Sequence, residues 1–286
     1  MGPALGGASV TAAVVGLRWL LRTGGPVLLS VVVILVGWEA FIRLYHIQPI
    51  VAKDPIDVWR YLFTQHADSA HGLRSAAQNR SVLFHNLGIT LRDAGIGYLA
   101  GIVLAIGVAC LFVLQKPVEE SFMPMALMLR SVPLVAMTPL ITLIFGRGIA
   151  AVAVIGGVVC FFPALVNIVH GMRATPAARL DLMSAYGASR LSILGKVQLP
   201  SALPSVFASL RINVPAAVIG ALLAEWLATG KGSGQEMLTV QNTFDYGELW
   251  SAVVVVTLVS VLAYSLVASV EAAVLARYAP HTVAPT

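Results

Sequence analysis

Long apolar runs separated by short polar intervals dominate this chain. Six stretches reach or approach the roughly 20 mostly apolar residues that a helix needs to cross a bilayer. They are 26–45, a stretch within 86–114, 121–145, 149–170, 206–228 and 247–276. The first lies behind Arg18 and Arg22 and carries Trp38-Glu39 where a cleavable signal would show small residues, so it is expected to persist as an anchor helix. Gly95, Gly97, Gly101 and Gly107 in the second offer small residues for close helix approach. The third contains Pro124, Pro133 and Pro139, tolerable within a membrane bundle, and is expected as one kinked helix.

The polar intervals carry their own signals. Residues 46–80 hold turn residues Pro49 and Pro55 and a short amphipathic stretch around Ile56, Val58, Trp59 and Leu62, expected as an interfacial or loop helix. Residues 229–246 are polar and Gly-rich. In 171–205, Thr175-Pro176 reads as N-cap and first helical residue, and Gly187 as a left-handed helix end. Ser189 then offers a second N-cap, Leu191, Ile193, Leu194 and Val197 an apolar side, and Pro200 a stop. A helix, a glycine and a second short helix are thus predicted between two spans.

Composition agrees with the pattern. The 286 residues are 58% hydrophobic and 11% charged, against about 25% charged in ordinary soluble domains. The mean hydropathy of +0.87 excludes a disordered chain. The six spans hold nine of the 31 charged residues. The net charge of +5 comes from basic residues scattered singly, which points to a lipid membrane and not to nucleic acid. Six spans place both termini on one side, the side of 171–205, and the Lys/Arg count of eight there against six opposite favours the cytoplasm. Cys110 and Cys160 sit singly in apolar runs and give neither a disulfide framework nor a metal pair.

The segment D-L-M-S-A-Y-G-A-S-R-L-S-I-L-G-K-V-Q-L-P (181–200) resembles the cytoplasmic loop of binding-protein-dependent ABC importer permeases, E-A-A-x-x-x-G, nine residues, I-x-L-P. Asp181, Leu182 and Met183 stand for E-A-A, followed by Ser184, Ala185, Tyr186 and Gly187; Ala188 and Ser189 open the nine, and Val197, Leu199 and Pro200 close the motif. Leu182 and Met183 are bulkier than the alanines they replace. Further stretches at 129–148, 161–171 and 224–234 are similar to the nitrate, sulfonate and taurine branch, with Ser233 where leucine is common. The resemblance covers about His85 to Tyr278.

The resemblance implies an all-α membrane protein of the type I importer architecture: an N-terminal segment 1–25, an anchor helix with an extracytoplasmic loop over 26–80, a transmembrane domain over 81–278 and a tail over 279–286. Residues Asp181 to Ser189, with Leu199 and Pro200, would dock on a cytoplasmic ATPase. It further implies two ATPase subunits carrying ATP and Mg, a second permease copy, an extracytoplasmic solute-binding protein and a plasma or inner membrane location. The solute would be small and polar or anionic, with no cofactor in this chain. Spans three to five would line the pathway, with Arg130, Pro133, Pro139, Asn167, Asn213 and Glu225 as candidates. Other intramembrane charges, Arg92-Asp93, Arg211 and Glu271, fit structural pairing or anchoring.

Enzyme signatures are absent from the sequence: there is no G-x-x-x-x-G-K-[ST] phosphate loop, no H-E-x-x-H and no G-x-S-x-G. Gly232-Ser233-Gly234-Gln235 superficially resembles an ATPase signature, but without a phosphate loop it reads as a turn. The rival function, a secondary transporter or channel without an ATPase, would favour paired broken helices in two repeated halves. No internal repeat of that kind is evident.

Overall fold

The computed structural model describes residue 25 and residues 29–64, 66–68 and 72–278. The expected segments 1–25 and 279–286 therefore lie almost wholly outside the described residues. The chain divides into two units, one up to Ala76 and one from Ala77. In the first, α1 (29–44) falls on the predicted anchor, whose residues 26–28 are outside those described. Helix α2 (Pro55–Phe63) realises the short amphipathic stretch: Asp54 caps it, accepting the Asp57 N–H at 2.6 Å, and Pro55 opens it where no donor is needed. Two three-residue strands follow, β1 (His66–Asp68) and β2 (Gly72–Arg74), paired antiparallel with His66 opposite Arg74.

The second unit is helical. Helix α3 (Ala76–Leu114) starts ten residues before the predicted span, and its 39 residues reach about 58 Å at 1.5 Å per residue, well beyond a bilayer core. The third predicted span is corrected: it is not one kinked helix but two, α4 (Lys116–Arg130) and α5 (Leu134–Phe145), bent by 105°. Pro133 disfavours helical geometry at the preceding residue and has no N–H to continue the ladder, so the chain breaks there, whereas Pro124 and Pro139 are carried inside their helices. Helix α6 (Ile149–Arg173) is the fourth span.

The hairpin follows: α7 (Ala177–Ala185), α8 (Arg190–Ile193), a π turn (Leu194–Gln198) and α9 (Leu199–Ser201). Then come α10 (Leu203–Ala224), a π turn (Glu225–Thr229), α11 (Gly232–Asn242) and α12 (Tyr246–Tyr278). Among the described residues, four helices are long and apolar enough to cross a membrane, and the bent α4–α5 pair makes a fifth crossing if counted as one span. The polar, Gly-rich interval 229–246 contains α11, so Gly232-Ser233-Gly234-Gln235, expected as a turn, instead opens a helix after Lys231 at the N-cap.

Helices α3, α6 and α10 meet through glycine. A Cβ on Gly97 would lie 2.7 Å from the Gly156 Cα, one on Gly101 2.5 Å from the Gly157 carbonyl oxygen, and one on Gly220 3.0 Å from the Gly156 Cα. Nothing lies within 4 Å at Gly95 or Gly107, so two of the four expected glycines do the packing. On one side of this junction Ala105, Ala109, Leu165, Ile168 and Met172 form the larger core; on the other, Ile141, Val152, Ile155 and Ala224 form the smaller.

Candidate functional site

The hairpin is built by local rules. The α7 helix ends in a paired closure: the Gly187 N–H bonds to the Ser184 carbonyl at 2.9 Å and the Ala188 N–H to Met183 at 3.0 Å. This Schellman closure needs a left-handed residue, and Gly187 supplies it at φ +73°. Ser189 caps α8, its Oγ accepting the Ser192 N–H at 3.3 Å. Two predicted boundaries are corrected. Pro176, at ψ 133°, is itself the N-cap position, so Thr175 lies one residue outside and α7 begins at Ala177. Pro200 does not stop the helix: the preceding π turn shifts the ladder, with the Leu199 N–H bonding to Leu194 five residues back, and the chain passes through α9 into α10.

The closure presents an apolar tip. Tyr186 is 83% exposed, Leu191 69% and Leu182 58%, while Met183 and Ala188 are half-buried and Asp181, Ser184 and Ala185 are exposed. Leu199 is partly covered and Pro200 exposed. The base is rigid: a Cβ on Gly171 would lie 2.4 Å from the Ser205 Cβ, so the ends of the hairpin touch at backbone distance. Beside it runs the α3–α4 turn, where Arg173 pairs with Glu119 and a cleft of about 520 Å³ lies between Leu114, Lys116, Leu180, Arg190, Ile193 and Gln198.

The remaining candidates fall into two groups. Arg130, Pro133 and Pro139 are exposed at and after the α4–α5 break, with Arg130 bordering a cleft of about 160 Å³ against Val159 and Phe162, and Asn167 is half-buried on α6. Asn213 and Glu225 are enclosed by protein. The Asn213 amide donates to the Ser209 carbonyl at 2.9 Å. Glu225 turns back onto the segment after its own helix, its Oε2 accepting the Gly234 N–H at 2.7 Å. Of the two readings for the other intramembrane charges, anchoring or pairing, pairing is what forms: Arg92 with its neighbour Asp93 at 2.9 Å, and Arg211 with Glu271, partners that the sequence does not match, at 3.1 Å.

The family described as binding-protein-dependent transport system inner membrane component matches residues 97–279. The chain belongs to this family. The permease is 29% identical over 237 residues to a probable ABC transporter permease protein of Haemophilus influenzae, covering 83% of this chain and 91% of the relative. It is 28% identical over 238 residues to the formylaminopyrimidine transport permease ThiX of Halalkalibacterium halodurans, covering 83% and 90%. It is also 26% identical to the taurine transport permease TauC of Escherichia coli, covering 76% and 78%. Its fold matches a chain of the inward-facing MetNI methionine ABC transporter with a TM-score of 0.61, at 18% identity, over 68% of this chain and 97% of that one. The permease is thus a multi-pass membrane subunit of an ABC importer, with the type I fold that the 181–200 segment implied.

The contacts around Gly230–Gly234 are functional geometry that the residue pattern does not spell out. Three glycines in five residues were a signal that the backbone there is approached closely.

Proposed function

We propose that two copies of the permease form the translocation pathway, each docking its hairpin on a separate cytoplasmic ATPase subunit that holds ATP and Mg. The observation that carries this reading is the tip itself: three exposed apolar side chains, Leu182, Tyr186 and Leu191, on a closure fixed by two backbone hydrogen bonds and a left-handed glycine. Exposed apolar groups on a rigid polar loop suit insertion into a groove of a partner. One permease offers one hairpin, so a pair of ATPases calls for a pair of permeases. The hairpin face and both termini are assigned to the cytoplasm, and the 46–80 and 229–246 intervals to the face that receives the binding protein.

The solute proposed is small and polar or anionic. The names of relatives that transport taurine and nitrate support it, as does Arg130, which is exposed beside the helix break and forms no ion pair among the described residues. Arg130, Pro133, Pro139 and Asn167 are the residues assigned to the pathway. The permease itself is assigned no ATP hydrolysis.

Co-purification tests the docking. Tyr186→Asp places a charge in the contact and is expected to leave the permease inserted in the membrane but to remove the ATPase from the detergent-solubilised complex. An undiminished yield of ATPase with Tyr186→Asp and with Leu182→Asp overturns the assignment of this hairpin.

A further inference from the structure

At the end of α10 opposite the hairpin, the chain makes a turn that should be loose and is not. Gly230, Gly232 and Gly234 fall within five residues, two of them with positive φ, at +65° and +89°. Glycine leaves the backbone unusually free, so such a turn would act as a hinge between α10 and α11. Three contacts remove that freedom. Glu225 Oε2 accepts the Gly234 N–H at 2.7 Å; Trp226 Nε1 donates to the Gly234 carbonyl at 2.6 Å; and Thr90 Oγ1, on α3, accepts the Ser233 N–H at 2.9 Å while donating to Asn86. Thr90 and Glu225 are fully buried. The fit leaves no space: a Cβ on Gly232 would lie 2.3 Å from Glu225 Oε1, and one on Gly234 2.8 Å from the Leu222 carbonyl oxygen.

This clasp sits at the end of one continuous stalk. From Arg190 to Thr229 the chain is helical apart from Ala202, which is itself in the ladder, donating to Gln198 and accepting from Val206 at 2.9 Å each. The second half of the hairpin and the clasp are therefore the two ends of one nearly uninterrupted helical run.

We propose that Thr90, Glu225 and Trp226 are positioning residues: they fix α11 to the far end of the α10 run, so that movement between hairpin and binding-protein face passes through the turn without being lost in it. The proposal rests on the importer reading and its assignment of sides.

Thr90→Val removes the acceptor of the Ser233 N–H at nearly constant volume, and Thr90→Ser retains it. The permease is reconstituted in lipid nanodiscs with its ATPase and binding protein, and ATP hydrolysis is measured with and without solute-loaded binding protein. Thr90→Val is expected to reduce the stimulation by binding protein about tenfold, the factor that corresponds to a buried N–H left without a partner, while Thr90→Ser keeps most of it. Amide exchange in the peptide containing Ser233 and Gly234 is expected to accelerate in Thr90→Val and in Glu225→Gln. Wild-type stimulation in Thr90→Val overturns the proposal whatever the exchange shows. Loss of complex assembly in Thr90→Val and Thr90→Ser alike also overturns it, since the residue then serves folding alone. A wild-type complex that shows no stimulation removes the importer reading, and the proposal with it.

Discussion

Gly187 shows how much one backbone angle decides. Its φ of +73° costs glycine little and a β-branched side chain about 1–3 kcal/mol. A Cβ there meets nothing within 4 Å, so the penalty falls on the closure and not on packing. Gly187→Val is expected to leave the permease inserted while hydrolysis runs on with little uptake; parallel assays of ATP hydrolysis and solute uptake check it, and coupled transport at the wild-type ratio would sink the idea. This residue was legible in the sequence because the left-handed requirement and the spacing to Pro200 are both local. Glu225 was legible as an intramembrane charge and, through the resemblance, as a candidate for the pathway. Its engagement with Gly234 depends on a π turn; the three nearby glycines signal a close approach but not which side chain makes it.

At the scale of elements, long apolar runs located the spans, while the break at Pro133 and the ends of the hairpin helices escaped them. A proline's effect on a membrane helix is not fixed by the residue alone. Pro133 stands at the break between α4 and α5 while Pro124 and Pro139 lie inside their helices, and at Pro200 a π turn shifts the ladder so that the helix continues. Pairing between helices was equally beyond a one-dimensional pattern. Arg211 on α10 faces Glu271 on α12 at 3.1 Å, with the guanidinium also over the Tyr264 ring at 5.7 Å. Removing one partner strands the other; for a fully buried pair that costs about 3–5 kcal/mol, while replacing both by apolar groups is often neutral. With the Arg211 side chain 36% exposed, Glu271→Leu is expected to cost less, about 1–3 kcal/mol, and Arg211→Met with Glu271→Leu to recover most of it. Thermal unfolding of the two single variants and the double variant measures this, and additive losses would contradict it.

The permease as a whole hangs on its glycine junction. Gly97→Ala puts a methyl group 2.7 Å from the Gly156 Cα and is expected to destabilise by about 1–3 kcal/mol. Gly95→Ala, two residues away with open space around it, is expected to be neutral or slightly stabilising. Melting temperatures of the two variants in one detergent separate these outcomes, and equal shifts would refute the contrast. The junction has a mechanical consequence as well. Backbones that touch without intervening side chains have no soft layer to compress, so the helices can tilt about the point of contact more easily than they can slide or part. That makes the junction a fulcrum. Gly220 lies 17 residues from the start of α10 and nine from Thr229, arms of about 26 and 14 Å at 1.5 Å per residue. Because Gly171 and Ser205 hold the hairpin end of α10 against α6 as well, α6 and α10 would tilt together over α3, so that a pathway beside them narrows at one mouth as it widens at the other.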